Sequence, residues 1–169
     1  MSLLMGLAFA LAAATGSPDA APRPDDVNTL DGMIRAWYEI VSGPAGTPRD
    51  WARDRTLYIP NVRFVSVDED AAGKPVPKIM SHAEFVEGAK DLERRGFFEK
   101  EIHRLTRRYG PIAHVWSTYE SRQTETGPVI QRGINSIELY WDGKRWWIAG
   151  AVWTDETKTN PIPKEFLSN

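Results

Sequence analysis

Glu101 and His103 stand two residues apart in a segment of strand character, the spacing at which a carboxylate can orient an imidazole for proton abstraction. The same segment holds Lys100, Arg104, Arg107 and Arg108, so a solvated strand edge is the simpler account of the pair. Tyr119 and Asn135 form a second constellation. Both fall on strand faces expected to point inward, where a phenol and an amide can donate to a ligand carbonyl or enolate, or else satisfy one another as buried polar groups. Trp37, Tyr38, Trp51 and Tyr58 are aromatics of the segments that would roof such a site, and aromatic side chains line most apolar pockets as well as ordinary cores. The catalytic candidates are therefore Glu101, His103 and Tyr119. The expected pocket lining is Trp37, Tyr38, Tyr58, Phe85, Ser117, Tyr119, Asn135 and Ile148. Arg132 is expected to form an ion pair with Glu138 or Glu120 in place of clamping a ligand carboxylate.

Other chemistries find no residues to carry them. The chain has no cysteine, and its three histidines, His82, His103 and His114, lie in unrelated settings without HExxH spacing. Calcium loops, phosphate-binding glycine loops and a G-x-S-x-G elbow are absent, so neither metal nor cofactor is expected. The formal net charge is -2, from 21 basic and 23 acidic residues spread along the chain, which leaves no basic stripe for nucleic acid.

The elements that must position these side chains are legible from periodicity and punctuation. Asn28 with Asp31 makes a cap pair for a helix whose apolar positions Leu30, Met33, Ile34, Trp37 and Val41 recur until Gly43-Pro44. Thr47-Pro48-Arg49-Asp50 starts a short second helix that Ile59-Pro60 closes. Residues 63–68 read as a strand and 70–74 as a loop, and Ser81 with Glu84 is a capping box for a third helix ending near Gly96. Beyond it, Gly110-Pro111, Gly127-Pro128 and Asp142-Gly143 separate β-type runs near 97–109, 112–125, 129–141 and 144–155. Helices first and a meander afterwards imply an α+β fold, with one domain at this length of 169 residues.

A two-residue type I′ turn at Asp142-Gly143 would set Leu139 opposite Trp146 and Ile137 opposite Ile148, with Asn135 inside. Arg132, Ser136, Glu138, Tyr140, Trp147 and Trp153 then face out. On the neighbouring strand Ala113, Val115, Ser117 and Tyr119 face in, and Trp116 and Glu120 face out. Several outward aromatics exceed what a monomer usually leaves wet, so a homodimer through the outer sheet face is expected. The competing expectation is that the segment from Asn160 to Leu167 folds back over that face.

Two stretches, Gly110-Pro111-Ile112-Ala113-His114-Val115-Trp116-Ser117-Thr118-Tyr119-Glu120-Ser121-Arg122 and Arg132-Gly133-Ile134-Asn135-Ser136-Ile137, resemble the nuclear transport factor 2-like superfamily. So do Trp146-Trp147-Ile148 and Trp153 through Glu156 after them, and the resemblance covers residues 28–167. It implies a cystatin-like cone: three N-terminal helices packed on a curved, mostly antiparallel sheet around one pocket. Members include ketosteroid isomerase, scytalone dehydratase, polyketide cyclases, limonene epoxide hydrolase and pure binding or dimerisation modules, so the fold alone does not decide chemistry.

The N-terminus carries a separate signal. Leu3 to Ala14 is an apolar run too short to span a bilayer that ends in small residues, which is signal-peptide geometry even though no Lys or Arg precedes it. Residues 1–14 are thus expected to be a leader, 15–27 a disordered linker with the mature chain starting near Thr15, and 28–169 the domain, in the periplasm or outside the cell and with no membrane contact beyond export. The first functional reading is a protein that binds a small apolar molecule. A cofactor-free isomerase, dehydratase or cyclase acting on a small carbonyl or hydroxyl compound is the close alternative, and an interaction module stands third. Glu101, His103 or Asp68 buried beside Tyr119 would favour the enzyme.

Overall fold

The computed structural model describes residues 20–168, so the expected leader and the mature start near Thr15 lie outside the described residues. The linker expected to run to residue 27 gives way earlier. Pro24–Val27 form a first helical turn, α1, because Asp26 is buried against Arg53, whose Nε and Nη2 each donate to its carboxylate at 2.7 Å. That guanidinium holds the Asp26 carboxyl below its ordinary pKa. The main helix, α2 (Leu30–Val41), is capped by Thr29, whose hydroxyl accepts from Gly32 N at 2.9 Å, one residue after the expected Asn28. It buries Met33, Ile34, Trp37, Ile40 and Val41 on one face.

The short α3 (Trp51–Arg55) starts from Asp50, not from Thr47 as its sequence suggests. The buried Arg49 guanidinium explains the shift, since it donates to the carbonyls of Val41, Gly43 and Thr47 and so holds residues 43–47 as an irregular loop. The last long helix, α4 (His82–Arg95), has the expected capping box from Ser81 and Glu84 and stops at Gly96, whose φ is 80°.

Six strands follow the order β2-β1-β6-β5-β4-β3 in one sheet. They are β1 (Tyr58–Glu69), β2 (Pro75–Ser81), β3 (Phe98–Tyr109), β4 (Ile112–Arg122), β5 (Val129–Trp141) and β6 (Trp146–Asp155). All neighbours are antiparallel except β1 and β6. The sequence reading missed β2, whose Pro75 and Pro77 a strand tolerates only at an edge, and started β1 five residues late, at Arg63. Phe64, Val115, Ile137 and Ile148 project from the inner face onto Met33 and Ile34 of α2 to make the core. Each such burial contributes roughly 1.5–3 kcal/mol.

Two irregularities decide which side chains enter that face. The β5–β6 connection is the four-residue loop Asp142–Arg145, closed by Asp142 Oδ1 accepting from Lys144 N and Arg145 N at 2.8 Å, so the expected two-residue turn does not form. Leu139 consequently faces Ile148 instead of Trp146. Beyond that pair a bulge skips Ala149, so Asn135 pairs with Trp153 and Gly133 with Asp155. Trp153, expected outside, turns inward against Phe64 and Phe85. In β3 a second bulge skips Ile102, pairing Glu101 with Tyr119 on the inner face and His103 with Thr118 on the outer face. The Glu101–His103 pairing read from i, i+2 spacing is therefore broken.

The outer face carries part of its own cover. Thr118 Oγ1 donates to the Phe166 carbonyl at 2.6 Å, Ser168 Oγ donates to the bulge carbonyl of Ile102 at 2.9 Å, and the Trp116 ring lies 5.4 Å from Phe166. Trp147 is occupied too, stacked under the Arg145 guanidinium at 3.8 Å.

The Ser81 cap joins β2 directly to α4. Replacing it, Ser81→Ala, should lower global stability by about 1 kcal/mol in urea unfolding without altering the slope of the transition.

Candidate functional site

Between α2, α4 and the inner face of the sheet lies a chamber of about 170 Å³, walled by Trp37, Phe64, Phe85 and Trp153 and reached by the polar side chains of Tyr119, Asn135 and Glu99. Beside it, sharing Phe97, Glu99, Tyr119 and Trp153, lies a second pocket of about 360 Å³ past Gly96 and Gln131, where Asp155 joins Tyr119 and Glu99.

The register explains how these groups meet. Tyr119 on β4, Gly133 on β5 and Asp155 on β6 are successive partners across the sheet. A Cβ at Gly133 would sit 2.3 Å from Tyr119 Oη, so the absent side chain lets the Tyr119 ring lie across β5. Its hydroxyl then donates to Asp155 Oδ1 at 2.5 Å. Two interstrand steps amount to roughly 10 Å, a span that only a long, rigid side chain can bridge.

The two acids differ in their partners: the Tyr119 hydroxyl donates to Asp155, and no such donor reaches Glu99 among the described residues. Burial pushes the Glu99 pKa up to about 8, and the negative charge of Asp155 pushes the same way. Asp155 is also raised by burial and by Asp68, while the hydrogen bond from Tyr119 pulls it back. With its pKa near 8, Glu99 keeps its proton at neutral pH. Tyr119 is pushed well up by burial first and Asp155 second, so it stays a neutral donor.

Asn135 is fixed from behind. Its Nδ2 donates to Tyr38 Oη at 3.1 Å, Tyr38 Oη lies 2.6 Å from Ser117 Oγ, and Ser117 Oγ donates to Glu101 Oε1 at 2.5 Å. Glu101 is gripped by Arg104, whose Nε reaches its two oxygens at 2.8 and 3.0 Å. Arg104 also reaches Asp31 at 2.6 Å.

Trp37, Phe85, Tyr119 and Asn135 line the chamber as the sequence implied. Tyr38 and Ser117 stand one layer behind, as supports of Asn135. Tyr58 points elsewhere, because its hydroxyl donates to the fully buried Asp54 at 3.0 Å, which also binds His82 Nε2 at 2.7 Å. Ile148 is sealed in the core. Of the catalytic candidates, only Tyr119 reaches the chamber. Glu101 is on the inner face but tied to Arg104 outside it, and His103 lies on the opposite side of the sheet. Arg132 pairs with Glu156 at 2.6 Å, not with Glu138 or Glu120. Sequence reasoning missed Glu99, Asp155 and Trp153. The one available signal for Asp155 was an acid closing an apolar strand. Among the described residues no group of three or more His, Cys, Asp or Glu side chains is arranged to hold a metal ion.

No protein-family profile and no curated protein matches the sequence. Solved structures do match. A protein of unknown function with a cystatin-like fold from Nostoc punctiforme is similar with a TM-score of 0.56 at 8% identity, over 78% of this chain and 96% of its own. An NTF2-like protein of unknown function from Pseudomonas putida gives 0.53 at 11% identity, over 79% and 90%. Another, from Silicibacter pomeroyi, gives 0.50 at 14% identity, over 75% and 92%. The chain thus has the NTF2-like, cystatin-like cone fold that its motifs resemble.

A proton on Glu99 ties stability to pH. The folded state holds that proton up to about 8, whereas the unfolded chain releases it near the ordinary Glu value, about 4.3, so stability should fall as pH rises between these limits. The slope is at most about 1.4 kcal/mol per pH unit. Urea unfolding across that window should show the decline in the native protein and a flatter profile in Glu99→Gln.

Proposed function

We propose that the chamber binds a small, largely apolar carbonyl or hydroxyl compound and moves a proton on it, with Asp155 as base and Glu99 as acid. The observation that carries this is a pair of carboxyl groups at one site, Glu99 on the wall of the apolar chamber and Asp155 in the adjoining pocket with the Tyr119 hydroxyl on it, burial pushing the Glu99 pKa up to about 8. Such a split in environment is how one site supplies both an acid and a base near neutral pH. Asp155 takes a proton from the carbon next to a carbonyl while Glu99 gives its proton to the carbonyl oxygen, leaving an enol, and the return step reverses both transfers. Tyr119 orients Asp155 and stays protonated. Binding without chemistry, the first reading from sequence, is what remains if the transfer does not occur.

The test does not need the natural substrate. In D₂O, the protein should exchange α-hydrogens of small ketones such as cyclohexanone for deuterium faster than buffer, followed by proton NMR. Asp155→Asn and Glu99→Gln should each slow it by about 10²–10⁴-fold. The native rate should decline as pH rises through about 8, where Glu99 loses its proton. Ketones that quench Trp37 and Trp153 fluorescence, and so bind, yet exchange no faster than in buffer would reduce the protein to a binder.

The dimer proposal rests on what the tail leaves uncovered. Ile79, Val65 and Val152 are direct neighbours across β2, β1 and β6 on the outer face, and Ile79 and Val152 are 69% and 44% exposed. A row of this kind supports pairing of two copies. Sedimentation equilibrium should give a dimer that Val152→Glu converts to monomer, and a native monomer at micromolar concentration would end the proposal.

A further inference from the structure

Direction runs through the buried chain behind Asn135. The Glu101 carboxylate, paired with Arg104, can only accept, so the single Ser117 proton goes to it. Ser117 Oγ must then accept from Tyr38, which uses the only proton of that phenol. Tyr38 Oη is left to accept, and what it accepts is an Asn135 N–H. The carbonyl half of the amide is thereby turned away from Tyr38. Among the described residues no hydrogen bond reaches Asn135 Oδ1, and the only sealed, unpartnered side-chain atom among them is Nε2 of His103. Asn135 is itself buried and borders the chamber, so its oxygen is open to a bound molecule.

The geometry points to Asn135 as a specificity residue that presents a fixed acceptor to the chamber and selects ligands carrying a hydroxyl or N–H donor, its orientation set by Glu101 through Ser117 and Tyr38. Resting on the reading that Glu99 and Asp155 handle a carbonyl, this narrows the substrate class to small apolar molecules that carry both a carbonyl and a separate donor. A ligand lacking the donor leaves a buried oxygen unpaired, which is a stronger discrimination than shape alone provides. Glu101, Ser117 and Tyr38 are positioning residues. None of them touches the ligand, and Glu101 and Arg104 border a different cleft, of about 470 Å³, between α2 and β3.

Matched probes read the donor separately from the carbonyl. Tryptophan fluorescence titrations with acetophenone and with its ortho, meta and para hydroxy derivatives give, for each protein, a ratio of affinities in which the carbonyl contribution cancels. At least one isomer should bind the native protein about five- to a hundredfold tighter than acetophenone. Asn135→Leu should bring that ratio near one. Tyr38→Phe and Glu101→Gln should lower it several-fold while leaving acetophenone affinity close to native, because a phenyl ring offers the Asn135 amide no acceptor and a glutamine amide can donate back into the chain. A purely structural role would weaken all probes together and leave the ratio intact. Glu101→Gln changes a partly exposed side chain, so it serves even if Asn135→Leu folds poorly. Native ratios near one for every isomer, or a ratio that survives in Asn135→Leu or in both positioning variants, would overturn the inference. Its failure is distinct from that of the acid–base reading: Glu99→Gln should weaken acetophenone and the hydroxy derivatives alike, and no acetophenone binding to the native protein would count against the chamber as a carbonyl site.

Discussion

Two unpaired residues, Ile102 in β3 and Ala149 in β6, determine which chemistry faces the chamber. A strand alternates faces with strict period two, so skipping one residue inverts everything beyond it. Without the Ala149 bulge, Trp153 and Asp155 would point to the outer face and the apolar core would meet Val152 and Thr154 instead. Without the Ile102 bulge, His103 would share the inner face with Glu101 and Glu99. The chamber's character as an apolar space with acids, and with no imidazole, follows from these two departures from regular pairing. The Ile102 irregularity is also where the C-terminal segment docks, through Ser168 on the bulge carbonyl.

That dependence explains what could be read from the sequence and what could not. Element boundaries marked by glycine, proline and caps were legible: the four strands after Gly96, the Ser81–Glu84 box and the inward set Ala113, Val115, Ser117 and Tyr119 all stand where punctuation and alternation put them. Asn135 was also placed inside, although through an incorrect register, because β5 itself alternates without interruption from Leu139 to Gly133 and the bulge shifts only its β6 partners. Bulges carry weaker punctuation: Ile102 has none, and Ala149 only the glycine that follows it, Gly150. Parity was therefore lost at the positions of Asp155, Trp153 and His103. Likewise α1 looked like linker because its Asp and Pro content is what unfolded segments share, and only the Arg53 partner makes Asp26 worth burying.

The polar interior is economical in its partners. Tyr119 crosses a glycine to reach Asp155, and Tyr38 joins Asn135 to Ser117, so two phenols account for most of the buried hydrogen bonding around the chamber. Glu99 differs. Among the described residues no side chain forms an ion pair with it, and the fold tolerates it by keeping its proton. A group held this way destabilises the folded state once ionised, which is the usual mark of a residue present for a reason other than stability.

The parallel pairing of β1 with β6 has a consequence for how the chain is made. Arg63 and Gly150 are paired neighbours, so the sheet cannot close until β6 is available to pair with β1. During that interval Phe64, Tyr58 and the inner face of α2 are synthesised but uncovered, and β1 has only the short, proline-bearing β2 as a partner. Pairing between such distant segments slows folding and prolongs exposure of apolar surface. The yield on expression should therefore be governed by the arrival of β6 more than by the strength of any single contact in the finished cone.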